Sequence, residues 1–129
     1  MAVAFNSPYA RELRLVQRVD GNRRIVTMPF FDGTVGRPGF LHGGAIAGLL
    51  EYAAWITVLD ALADDTARIK PINITVDFMR GGQLIDSHAS AVVVRLGRRI
   101  AIVVATAWQT NEARPIASAN LKLMLERTG

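Results

Sequence analysis

The sequence predicts an α+β fold in which one antiparallel sheet wraps around a single long central helix. Three observations lead there. A hairpin pattern comes first, one long helical segment follows, and four strand-like runs close the chain with no further helix to cover a core. At 129 residues, 50% hydrophobic and 20% charged, the chain carries apolar material for one sizeable core. No linker, repeat or low-complexity tract divides it, so residues 1–129 are expected to form a single domain.

The elements follow from local patterns. Leu13 to Val19 and Arg23 to Phe30 are β-prone runs around Asp20-Gly21-Asn22, a hairpin signal. Phe31 to Leu41, rich in glycine and holding Pro38, reads as a loop. From His42 or Gly43 to about Ala63 runs the helix, apolar nearly all round, with the charge of Glu51 at its centre and Asp60 near its end. Such a helix is buried on most faces or spans a membrane, and the central carboxylate predicts burial in protein. Ile72, Ile74, Val76 and Phe78 then alternate with polar or flexible residues, a strand with one apolar face. Asp86 to Arg95 and Arg99 to Gln109 are joined by Leu96-Gly97-Arg98, and Ile116 to Glu126 follows the polar turn at Thr110 to Arg114.

Glu51 is the residue that asks for a function. It stands alone in Ala45-Ile46-Ala47-Gly48-Leu49-Leu50-Glu51-Tyr52-Ala53-Ala54-Trp55-Ile56. A carboxylate in aliphatic surroundings is paired with a cation elsewhere in the fold or is there for chemistry. The preceding Leu41-His42-Gly43-Gly44 favours chemistry. Glycines at a helix start let a ligand approach the backbone, and the first N–H groups point outward with the positive end of the helix dipole behind them. One element thus offers an oxyanion donor at Gly43 or Gly44 and a base at Glu51. An apolar setting should raise the Glu51 pKa above its ordinary value near ~4.3.

Composition narrows the remaining classes. With no cysteine there are no disulfides, thiolate metal sites or thiol nucleophiles. His88 has no ligating partner at metal spacing, so no metal site is expected. His42 reads as a group that caps or orients the helix start rather than as an acid or base. Trp55, Trp108 and Phe78 read as core or pocket lining. The net charge is +4 and the excess is arginine, which suits phosphate-bearing ligands. The basic residues form no long run and do not interleave with aromatics, so neither nucleic acid nor a membrane is an expected partner. Met1 to Pro8 lacks the apolar run of a signal peptide, and the expected location is cytoplasmic.

The order of elements, with Gly-Phe-Leu-His-Gly-Gly leading into the helix, Leu-Leu-Glu within it and Asn73-Ile74-Thr75-Val76-Asp77-Phe78-Met79-Arg80 after it, resembles the hotdog-fold acyl-CoA thioesterases. The phenylacetate-pathway and 4-hydroxybenzoyl-CoA group is the most similar type. The likeness spans Leu13 to Glu126, and its specific part is His42-Gly43-Gly44 with a carboxylate nine residues after the histidine. It implies hydrolysis of a small aromatic or medium-chain acyl-CoA, with Glu51 as the catalytic carboxylate and the Gly43 N–H on the thioester carbonyl. His42 and Gly44 complete the implied site, with no cofactor beyond the coenzyme A of the substrate. It also implies a homodimer or a dimer of dimers (homotetramer).

Helix geometry gives a separate reason to expect a dimer. Gly43 and Glu51 lie eight residues apart, about 12 Å along one axis, too far to serve one thioester together. Two antiparallel helices about a twofold axis would bring Glu51 of one chain level with Gly43 of the other. Arg80, Arg98 and Arg99 are the candidates for the coenzyme A phosphates.

The chain departs from the family at Gly36, where many relatives carry Asn or Gln six residues before the histidine. Many also place Ser or Thr where this chain has Lys70-Pro71 or Trp55. If Gly36 faces the pocket, Gly36→Asn should raise the rate. Two other classes stand beside the thioesterase: a non-catalytic acyl-CoA or acyl-group binder on the same fold, and a hotdog dehydratase or isomerase. The second would want a histidine in a loop ahead of a Pro-Gly turn, which His42-Gly43-Gly44 is not.

Overall fold

The computed structural model describes residues 7–63 and 66–127. A short helix α1 (Pro8–Glu12) precedes the hairpin β1 (Val16–Asp20) and β2 (Arg23–Met28). A single 3₁₀ turn (Asp32–Thr34) leads to the long helix α2 (Gly43–Leu62). The strands β3 (Arg68–Phe78), β4 (Ser87–Leu96), β5 (Ile100–Trp108) and β6 (Ala117–Glu126) complete the chain. All six strands join one sheet in the order β1-β2-β4-β5-β6-β3, every pair antiparallel, as the sequence predicts.

Period-two alternation explains how the sheet takes the helix onto one face. Ala101, Val103, Ala105 and Ala107 of β5 and Ala117, Ala119, Leu121 and Leu123 of β6 point inward and are almost wholly buried. They share a core with Leu49, Leu50, Ala53 and Ile56 of α2. Register places Ala89, Ala107 and Ala117 side by side, and likewise Ala91, Ala105 and Ala119. Those small side chains leave room at one end for the larger ones of the helix. At the other end of α2, Arg24 of β2 donates two bonds to Asp60, at 2.7 and 2.9 Å, and Ala63 ends the helix in a left-handed conformation. By length and composition α2 is apolar enough to cross a membrane, but its buried residues face the sheet.

Three local expectations change. The first concerns α1, which periodicity could not show in five residues. Ser7 caps it, accepting from the Ala10 N–H at 3.4 Å, and Pro8 supplies the preset backbone angle of a first helical position. The second concerns β3, which begins at Arg68 and runs through Pro71 instead of starting at Ile72. An edge strand tolerates a residue without an N–H, and the register shifts between Pro71 and Asn73. The third concerns the loop before α2, which is held tightly. Val35 bridges Leu41, the Gly36 N–H donates to the Phe40 carbonyl at 2.9 Å, and the His42 N–H donates to the Thr34 carbonyl at 2.7 Å.

Candidate active site

The helix start is built around one histidine. His42 occupies the N-cap position in extended conformation, and its Nδ1 accepts from the Gly44 N–H at 2.8 Å. An accepting Nδ1 places the ring proton on Nε2. The His42 carbonyl takes the N–H groups of Ala45 and Ile46, at 3.0 and 3.2 Å. Of the first four N–H groups of α2, the Gly43 N–H alone has no partner among the described residues. The two glycines therefore part roles. Gly44 is a correction to the sequence reading, because its N–H is committed to the cap, and a Cβ there would lie 2.9 Å from the His42 ring. Gly43 keeps a donor at the positive end of the helix, beside the Phe78 ring, which a Cβ at Gly43 would meet at 3.4 Å.

Glu51 is a second correction. It does not lie in the core but on an exposed stripe of α2 that the sheet leaves uncovered, together with Gly44, Gly48 and Trp55. The spacings of four, three and four residues put these positions on one helix face. The carboxylate makes no hydrogen bond or ion pair with any described residue, which removes the buried ion pair as its reason for being there. Partial burial still raises its pKa above the ordinary glutamate value, the direction expected for a base working nearer neutral pH. Two helical turns, about 12 Å, separate it from Gly43 in the same chain.

The arginines do not converge. Arg80 follows the end of β3 and lines a shallow depression of about 280 Å³ with Phe40, Gln83, Gln109 and Arg114. Arg98 and Arg99 lie in the turn between β4 and β5, beside Arg127 at the far end of the sheet. The start of β6 pairs with Phe78 and its Met124 with Ile100, so the two groups are roughly 20 Å apart along the strands. Within one chain, a single cluster of phosphates can meet one group and not the other.

Gly36 does not face an open pocket. A Cβ there would stand 2.8 Å from the His42 Cα, so the loop against the N-cap excludes the amide that many relatives carry at this position. Trp108 lies on the outer sheet face beside His88, with ring centroids 5.9 Å apart, rather than near α2. No cluster of potential metal ligands occurs among the described residues. Sequence reasoning missed Tyr9, whose ring rests on Gly48 next to Glu51. The available signals were the Ser7-Pro8 helix start and a glycine inside an otherwise strong helix, which marks close approach by another group.

One antiparallel sheet around one central helix, with a carboxylate on the bare face of that helix, defines a hotdog-fold protein. The sequence model described as the acyl-CoA thioesterase N-terminal domain matches residues 31–124, and the chain belongs to this family of thioester hydrolases. No curated protein matches the sequence. Solved structures share the fold. A Ralstonia eutropha protein, described as a thioesterase by assignment and as related to phenylacetic acid degradation, is 24% identical with a TM-score of 0.80 over 92% of this chain and 90% of its own. The Bacillus halodurans protein BH2602, solved with coenzyme A, is 16% identical with a TM-score of 0.85 over 97% and 82%. The Haemophilus influenzae thioesterase HI1161 is 22% identical with a TM-score of 0.83 over 95% and 85%.

Proposed function

We propose that the protein hydrolyses a small aromatic or medium-chain acyl-CoA to the free acid and coenzyme A, as a cytoplasmic homodimer or dimer of dimers. The observation that carries this reading is a pair of groups on α2, the Gly43 N–H and the Glu51 carboxylate, that have no hydrogen-bond or ion-pair partner among the described residues. In the reaction the Gly43 N–H of one chain holds the thioester carbonyl oxygen while Glu51 of the other takes a proton from water. The water oxygen bonds to the carbonyl carbon, and negative charge gathers on the oxygen facing Gly43. Collapse breaks the carbon–sulfur bond, and the departing thiolate of coenzyme A takes up the proton. His42 acts by holding the helix start in place. Direct attack by Glu51 to expel the coenzyme A thiolate and give an anhydride is the competing route. If water then attacks the Glu51 carbonyl carbon, the acyl group leaves with the bridging oxygen, and one carboxylate oxygen of the enzyme enters the first acid released.

The assembly has support in the edge of the sheet. β3 offers eleven residues of unpaired edge, with Ile72 and Phe78 exposed by 55% and 54%. A long edge with apolar side chains is a template for pairing with another strand. Antiparallel pairing of β3 with its copy would bring the Arg98–Arg99 end of one chain toward the Arg80 end of the other. Both groups would then lie near one bound nucleotide, a role that also fits the coenzyme A found in the Bacillus halodurans relative.

The test is thiol release from a panel of acyl-CoAs, running from acetyl to dodecanoyl with benzoyl and phenylacetyl, beside sedimentation of the free protein. Turnover of aromatic or medium-chain thioesters by a dimer or tetramer is expected. No release from any member, or full activity in a monomer, would overturn the reading.

A further inference from the structure

α1 brings one large side chain onto the working face of α2. Gly48 lies one turn before Glu51, and a Cβ at Gly48 would stand 2.5 Å from Cε2 of Tyr9. The phenol ring is therefore laid directly on bare helix backbone, in space that any side chain at position 48 would occupy. Its Oη donates to the Gly44 carbonyl at 3.4 Å, which aligns the ring along the strip between Gly44 and Glu51. Leu13 anchors the end of α1 beneath it, buried in the core and also within 3.0 Å of a Cβ at Gly48. Tyr9 itself remains 52% exposed, so its ring is held on the surface without being used to fill the core. Beyond Glu51 on the same face stands Trp55, partly buried and packed on the Tyr52 ring with centroids 5.4 Å apart.

We propose that Tyr9 limits the length of the acyl group, its ring blocking the strip of α2 that runs from Glu51 toward Gly44. The inference rests on the acyl-CoA reading above. An acyl group held with its thioester at Glu51 has two ways along the exposed helix face. One way ends at Trp55. The other would cross the bare backbone at Gly48, where a chain could lie close to the helix, but the Tyr9 ring already occupies it. A residue with one large flat side chain on a glycine is a physical stop, and a hydrophobic site that changes by single methylenes discriminates by roughly tenfold or more.

The experiment measures kcat/KM for butanoyl-CoA and dodecanoyl-CoA with the full chain and three variants. In Tyr9→Ala the dodecanoyl-to-butanoyl ratio should rise about tenfold. Gly48→Ala should raise it in the same direction but by less, because the new Cβ displaces the ring without truncating it while itself taking up part of the strip. Tyr9→Phe, which keeps the ring, should keep the wild-type preference. A change in the folded fraction scales both substrates alike and leaves the ratio unmoved, so the ratio reports the site itself. If the wild type hydrolyses both thioesters and the ratio stays constant through Tyr9→Ala and Gly48→Ala, Tyr9 does not limit the acyl group, while the thioesterase reading stands. If the wild type hydrolyses neither these nor any member of the wider panel, both the reading and this inference fall.

Discussion

The two faces of α2 have opposite relations to the rest of the molecule. The face toward the sheet carries Leu49, Leu50, Ala53 and Ile56, all at zero exposure and all in one core. The other face carries Gly44, Gly48, Glu51 and Trp55, left uncovered by the sheet, with a carboxylate that no described residue neutralises. One face therefore holds the fold, and the other holds unsatisfied chemistry at some cost to it. The difference teaches that an apolar helix can hide a working stripe. Glycine interrupts the apolar pattern only weakly, yet with no side chain it makes a face that a ligand can reach.

The largest expected effect comes from the exposed face. Glu51→Gln should lower acyl-CoA turnover by about 10²- to 10⁴-fold, the range for losing a general base. Stability should hold or rise at neutral pH. Because the folded-state pKa of Glu51 is raised, the stability linked to its protonated form is complete below the unfolded value near ~4.3 and is lost as pH rises through the higher folded value. Gln cannot ionise and escapes that loss, so wild type and variant should converge in acid when melted across pH. The same shift predicts that wild-type turnover falls off in acid along a limb lying above the ordinary glutamate pKa. An unfolded Glu51→Gln variant, or one with wild-type turnover, would erase the contrast between the two faces.

The next effect tests whether the exposed face is completed by a second chain. Gly43→Pro removes the free N–H at the first helical position, where proline is tolerated, and His42 with ψ of 130° already suits a following proline. Mixed in equal amounts with Glu51→Gln and allowed to exchange, the two inactive parents should regain roughly a quarter of wild-type activity. Half of the dimers are then mixed, and one of their two sites is intact. Folded mixed dimers as inactive as their parents would show that Gly43 and Glu51 do not meet across an interface.

The buried face should answer in stability and not in chemistry. Leu50→Ala is expected to cost about 2–5 kcal/mol in urea unfolding, with activity per folded molecule retained. A smaller effect falls where the loop supports the helix start. Gly36→Asn should cost about 1–3 kcal/mol and lower the rate, since its Cβ would press on the His42 backbone at 2.8 Å. That outcome reverses the gain expected from the sequence alone. A faster Gly36→Asn enzyme would mean that the loop can shift to present an amide to the substrate.

Much of this was legible without coordinates. The hairpin around Gly21, the limits of α2 and the four closing strands followed from period and turn chemistry, which are local. The unusual status of Glu51 and the exposed N–H at Gly43 followed from residue type and helix geometry. What the sequence could not decide depended on groups far apart in the chain meeting in space. Periodicity could not tell which stripe of a helix that is apolar nearly all round the sheet leaves bare, because that depends on what packs against it from elsewhere in the chain. Spacing could not tell that the Gly44 N–H is taken by His42 while the Gly43 N–H is free, since that turns on one side-chain rotamer. Charge could not tell that Arg80 and Arg98 sit at opposite ends of the sheet, because strand pairing sets that distance. Pattern fixes elements because it repeats within a few residues, whereas a site is made by long-range packing, and only the tertiary structure places Tyr9 on Gly48 beside the base.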